Sequence, residues 1–122
     1  MPANPVPRLG DVLAADCPSR TILSHISSRW GGLVLVALGE DCLRFAQLRR
    51  KIGGISERML AQTLQAFEAD GIVVRRDHGE VPPHVDYRLT PQGLEIAKRY
   101  IEMSSWIENN LADLLAARPR SA

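Results

Sequence analysis

Two short stretches with helical apolar spacing meet at a pair of glycines, Gly53 and Gly54, and this junction constrains the chain more than any other feature. Upstream, Phe45, Leu48 and Ile52 recur at intervals of three and four, so one face of a short helix is apolar while Gln47, Arg49, Arg50 and Lys51 occupy the others. Downstream, Ser56 is placed to cap a second helix and Glu57 adds negative charge to its first turn. Met59, Leu60, Leu64 and Phe67 then supply a buried stripe that ends before Gly71. Two helices joined by a glycine turn form a helix-turn-helix unit. The next segment narrows the choice: residues 72–76 and 85–89 read as strands, and residues 78–84 between them hold Gly79, Pro82 and Pro83 at a hairpin tip. A helix pair running directly into a hairpin is the winged form of the motif. In that form the second helix enters the major groove of DNA and the tip reaches the backbone or the minor groove.

The rest of the chain fits around this unit. Pro2, Pro5, Pro7 and Gly10 make residues 1–16 an N-terminal arm, residues 17–115 form one domain, and residues 116–122 are a C-terminal tail. Pro18 suits the first position of a helix capped by Cys17, with Ile22, Leu23 and Ile26 on one face. Residues 30–38 are almost wholly apolar and read as a buried central helix ended by Gly39. Thr90 and Pro91 repeat the cap-then-proline opening. Leu94, Ala97, Tyr100, Ile101, Ile107, Leu111, Leu114 and Leu115 then line one long terminal helix. Its apolar surface exceeds what a small core covers, which implies packing against a second copy. The fold class is α+β, mainly α, with a winged helix-turn-helix, an N-terminal arm and a long C-terminal dimerisation helix.

Composition removes several classes of function. With 122 residues, 45% of them hydrophobic and 24% charged, the chain is one globular domain with room for a core. No apolar run approaches the roughly 18 residues that span a bilayer. The N-terminus lacks an export pattern, so the expected location is the cytoplasm. Two cysteines, Cys17 and Cys42, are too few for a disulfide scaffold and have no CxxC spacing. The sequence also lacks a GxSxG turn, an HExxH helix, a phosphate-binding glycine loop and a dinucleotide fingerprint, so an enzyme is not expected and no cofactor is implied.

Formal net charge is only +1, and the distribution of charge has to carry any case for nucleic acid. Arg44, Arg49, Arg50, Lys51 and Arg58 cluster around the single acid Glu57, whereas Glu95, Glu102, Glu108 and Asp113 fall on the terminal helix. Cations at phosphates release counterions and supply affinity independent of sequence. On the second helix, Ser56, Arg58, Gln62 and Gln65 lie off the apolar stripe. Arg58 can bond both major-groove acceptors of guanine and Gln62 can pair with adenine, while Ser56 and Thr63 suit phosphate. On the hairpin the candidates are Arg75, Arg76, His78, His84 and Arg88, with the tip favoured because strand alternation turns some of them away. Each of these residues also fits a plain solvated surface.

The separated motifs Cys17-Pro18, Arg29-Trp30, Phe45-Ala46-Gln47-Leu48-Arg49-Arg50, Gly54-Ile55-Ser56-Glu57-Arg58-Met59-Leu60, Glu68-Ala69-Asp70-Gly71-Ile72-Val73 and Val81-Pro82-Pro83-His84-Val85-Asp86-Tyr87-Arg88-Leu89-Thr90 occur in this order, with Leu64 and Gly93. The chain thereby resembles the HxlR family of bacterial transcriptional regulators, a winged-helix group similar to MarR proteins, over about residues 17–106. Arg29 stands where lysine is commoner and Asp86 where glutamate is commoner. The resemblance implies a homodimer on a roughly palindromic double-stranded DNA operator, with residues 56–70 as the reading helix. It also implies that some relatives answer oxidants, quinones or other electrophiles through a cysteine placed as Cys17 is. Physics offers a route, since the N–H groups and dipole at a helix start favour the reactive thiolate; a buried packing role against Trp30 is the alternative. Cys42, next to Glu40 and Asp41, is expected to have a raised pKa and to be a resolving partner.

Other readings remain beside this one. A metal sensor using His25, His78 and His84 is disfavoured by spacing, with no i, i+4 pair and two of the histidines at a tip facing solvent or DNA. A small organic ligand in a dimer pocket lined by Trp30, Tyr100 and Trp106 is a second mechanism. A protein-binding winged helix without specific DNA recognition is the third.

Overall fold

Apolar residues at helical spacing between caps produce the element order in the computed structural model, which describes residues 10–119. It runs α1 (Pro18–Ile26), α2 (Gly31–Leu38), β1 (Leu43–Arg44), α3 (Phe45–Lys51), α4 (Glu57–Ala69), β2 (Val73–Asp77), β3 (Val85–Leu89), α5 (Pro91–Asn109) and α6 (Leu111–Ala116). Most of the expected arm, residues 1–9, and the last part of the tail, residues 120–122, lie outside the described residues. No single helix among the described residues is long and apolar enough to cross a membrane.

Helix α2 is apolar on nearly every side and therefore sits in the middle, with Val34, Leu35 and Leu38 fully enclosed. Leu48 and Ile52 of the α3 segment, Leu60, Leu64 and Phe67 of α4, and Ile72, Val73 and Leu89 close around it. Helix α5 crosses α2 at Gly32, where a Cβ would fall 1.9 Å from Cζ of Tyr100. Only a residue without a side chain lets the tyrosine ring lie on that backbone. Trp30 and Tyr100 both pack on the core, so only Trp106 of the three aromatics suggested for a ligand pocket stays open.

Four details differ from the sequence reading. The stripe of α4 is Leu60, Thr63, Leu64 and Phe67, and Met59 is exposed. Thr63 is tolerated inside because its hydroxyl donates to the Met59 carbonyl at 2.8 Å. Strand β1 was not anticipated; it pairs with β3, Leu43 opposite Tyr87 and Arg44 opposite Asp86, giving an antiparallel sheet in the order β1-β3-β2. The terminal helix breaks at Asn110, whose side-chain amide donates to the Trp106 carbonyl at 2.8 Å. Leu23 faces outward while Ile22 and Ile26 pack on the core. The extended apolar surface is present: Ile101, Met103, Trp106, Ile107, Leu111, Leu114 and Leu115 are each at least 40% exposed.

Candidate nucleic-acid interface

Helix α4 is held along one side and at both ends. Its start is set by Gly54 at φ +84°, a left-handed conformation costly for other residues, and by Ser56, whose hydroxyl accepts from the Met59 N–H at 3.1 Å. Arg49 staples the turn, donating from Nε to the Ile55 carbonyl at 3.4 Å and from Nη1 to Glu57 Oε1 at 3.3 Å. At the far end His25 Nδ1 lies 2.6 Å from Asp70 Oδ2 and ties α1 to the close of α4. With the stripe in the core, Ser56, Arg58, Gln62 and Gln65 are left on the outer side. Beside them runs an open groove between α3 and the start of α4, lined by Phe45, Ala46, Arg49, Arg50, Ser56 and Glu57.

The expected cations divide into two groups. The side chains of Arg50, Arg58, Arg75, Arg76 and Arg88, together with that of Gln62, make no hydrogen bond or ion pair with any described residue. Arg44, Arg49, Lys51 and the two wing histidines are engaged. Lys51 donates to the Ala37 carbonyl at 2.7 Å and pairs with Asp41 at 3.7 Å, so it serves the C-terminal carbonyls of α2. It borders a different groove, with Leu33 and Val36, and is corrected from an interface cation to a helix-end partner. Thr63 is likewise corrected, because its buried hydroxyl already has an acceptor and cannot reach phosphate. Arg44 donates to His84 Nδ1 at 3.1 Å.

The wing is organised around a buried acid. Asp86 presents Oδ2 to His78 Nε2 at 2.7 Å and to His84 Nε2 at 3.4 Å. The hydrogen bond from His78, then that from the Cys42 thiol, hold the Asp86 carboxyl below its ordinary pKa against the opposing effect of burial. The imidazole rings stand 4.3 Å apart, and the His78 N–H donates to the His84 carbonyl at 2.9 Å, closing the tip. His78 and His84 are therefore turned toward Asp86, which corrects their expected place as outward contacts to phosphate or the minor groove. A buried carboxylate needs donors, and these two rings reach it. The same geometry overturns the spacing argument against a metal cluster, since ligand atoms of His78, His84 and Asp86 all lie within 4.8 Å of one another. Arg75 is not at the tip. It lies mid-strand, opposite Tyr87, and shares a groove with Gln65 and Glu68 of α4.

The two thiols differ. Cys17 is 1% exposed at the cap of α1, with Sγ 2.8 Å from Ser19 Oγ. Burial, the largest single influence, pushes its pKa up. Hydrogen bonds with the Ser19 side chain and backbone, aided by the backbone of Arg20 and Asp11, together outweigh it and leave the pKa lowered. Cys42 is raised, first by loss of solvent around the thiol and then by Asp86, not by the adjacent Glu40 and Asp41.

A three-helix core, a three-stranded sheet and an outward helix with a glycine turn define a winged helix-turn-helix regulator. The HxlR-like helix-turn-helix family matches residues 25–114, and the chain belongs to that family; the relatives it matches are named as transcriptional regulators, a class of protein distinct from enzymes. It is 52% identical over 113 residues to the HTH-type transcriptional regulator YtfH of Escherichia coli K12, covering 93% of this chain and 90% of that one. Among solved structures it is similar to YtfH from Salmonella typhimurium, with 51% identity, a TM-score of 0.81 and coverage of 91% and 99%. It is also similar to the redox regulator HypR in its reduced form, with 35% identity, a TM-score of 0.72 and coverage of 83% and 99%.

Proposed function

We propose that the chain binds a palindromic double-stranded DNA operator as a homodimer, with α4 of each copy in a major groove. One observation carries this reading: α4 is fixed along its apolar side and at both ends, while Arg58 and Gln62 on its outer side have no partner among the described residues. A rigid helix with uncommitted donors is what base readout requires. Arg58 reads guanine and Gln62 reads adenine. Arg50 and Ser56 meet phosphate at the start of the helix, Arg75 meets it beside the helix, and Arg49 acts mainly by aligning the turn. The exposed apolar residues of α5 and α6 pair the two copies.

The test is selection of preferred duplexes from a random pool, followed by affinity across a salt series. The expected result is a single palindromic preference whose affinity falls steeply with salt. Binding that is equal on random duplexes would overturn the reading.

Effector response is proposed at Cys17. Its thiol has a lowered pKa at a helix start, and the similar protein HypR is a redox regulator. Diamide or a quinone should weaken binding to the selected duplex, and Cys17→Ser should remove that response. A wild-type gel shift unchanged by either reagent contradicts it.

A further inference from the structure

We propose that the wing binds a zinc ion through His78, His84 and Asp86. Distance is the first ground for it. Zinc held tetrahedrally by nitrogen and oxygen at about 2.0 to 2.2 Å keeps its ligand atoms roughly 3.4 Å apart. One separation already matches that, 3.4 Å from His84 Nε2 to Asp86 Oδ2, while the 2.7 Å hydrogen bond from His78 Nε2 to the same oxygen has to open, and all three ligand atoms lie within 4.8 Å. Small side-chain rotations complete the site, and a fourth position stays open.

A second observation is burial. Asp86 is only 8% exposed, and its Oδ1 has no nitrogen or oxygen donor among the described residues, the Cys42 thiol being the one further donor to the carboxyl. A buried carboxylate whose second oxygen is met by no more than a weak thiol donor is costly, and a cation at Oδ2 compensates its charge. Two imidazoles and a carboxylate are a ligand set suited to zinc. Three charges stand nearby. Arg44 bonds His84 Nδ1, Arg76 lies opposite Asp86 in the register, and Glu80 Oε2 is 3.7 Å from His84 Nδ1.

Proton placement gives the site a consequence. Without the ion, both Nε2 atoms face the Asp86 carboxylate as donors. Zinc takes the lone pair at each Nε2, so each imidazole carries its proton on Nδ1. His84 Nδ1 then becomes a donor, can no longer accept from Arg44, and turns to the Glu80 carboxylate. The ion thus clamps residues 79–83 between two ligands and releases the Arg44 guanidinium. The zinc site stands on the wing geometry alone. An effect of released Arg44 on DNA affinity would rest additionally on the function proposed above.

The experiment is zinc titration of the full chain against a colorimetric chelator, in wild type and in the Cys17→Ser/Cys42→Ser variant, which removes thiol binding. One zinc per chain is expected in both, and His78→Ala or His84→Ala should weaken binding at least about tenfold. Circular dichroism checks that these variants fold. Nitrogen-15 spectra of the wild-type imidazoles supply an independent readout: zinc should shift His78 and His84 and leave His25 unmoved. No binding, binding lost with the thiols, or a shift confined to His25 overturns the proposal.

Discussion

The corner formed by α3 and α4 and the wing formed by β2 and β3 both carry several basic groups, yet the two are held together by different means. The corner is built on apolar burial, so its backbone needs only Arg49 as a staple and leaves Arg50 and Arg58 uncommitted. The wing has a carboxylate buried in its sheet, and that acid draws in His78, His84 and, through His84, Arg44, while the strand arginines Arg75, Arg76 and Arg88 stay uncommitted among the described residues. A cluster of cations in sequence therefore says little about a binding surface. What decides is whether a buried acceptor lies within reach of each donor.

The comparison can be broken first at the corner. Phe67 is fully buried in α4, so Phe67→Ala should cost about 3 to 5 kcal/mol by urea unfolding. A loss under about 1 kcal/mol would mean the corner is not held by burial. A second test separates the two groups of cations. Arg58→Ala should reduce discrimination at one operator position by about 1 to 3 kcal/mol and leave thermal stability nearly unchanged. Lys51→Ala should do the reverse, costing up to about 1 kcal/mol of stability while leaving operator affinity at a given salt unaltered. Equal losses of affinity in both would erase the distinction. Removing the Ser56 cap sharpens it further: Ser56→Ala should destabilise α4 by about 1 kcal/mol, read from the thermal midpoint.

The smallest effect on global stability is expected from Asp86→Asn, because the wing lies at the edge of the molecule. Its signature is pH. The folded carboxyl is held below its ordinary value of 3.8, chiefly by the His78 hydrogen bond, so its contribution is complete above 3.8 and lost as pH falls through the depressed folded value. Wild type and variant should differ in urea midpoint at neutral pH and converge in strong acid. A gap that persists there would show that the ionised form of Asp86 is not what organises the wing.

Much of this was legible in sequence, and the reasons for the rest are local. The cap at Ser56, the stripe of Leu60, Leu64 and Phe67, and the apolar α2 follow from short-range periodicity and therefore transferred to the structure. Strand β1, with two residues, has no period to detect, and the break at Asn110 depends on one side-chain amide. Thr63 replaced Met59 in the stripe because a hydroxyl that bonds its own helix behaves as a small core residue. The partners of Lys51 and the convergence of His78, His84 and Asp86 required the chain to close on itself. Hairpin register places Asp86 between Arg44 and Arg76, and no spacing along the sequence announces that. The uncommitted side of α4, by contrast, could be named because the buried side was periodic.

The most direct test of the claim that α4 reads base edges is a complete set of single-base substitutions in the selected duplex, measured for wild type and for Arg58→Ala at one salt concentration. The account predicts that the variant loses discrimination at one guanine in each half-site and keeps the rest of the profile. Two superimposable profiles would contradict it.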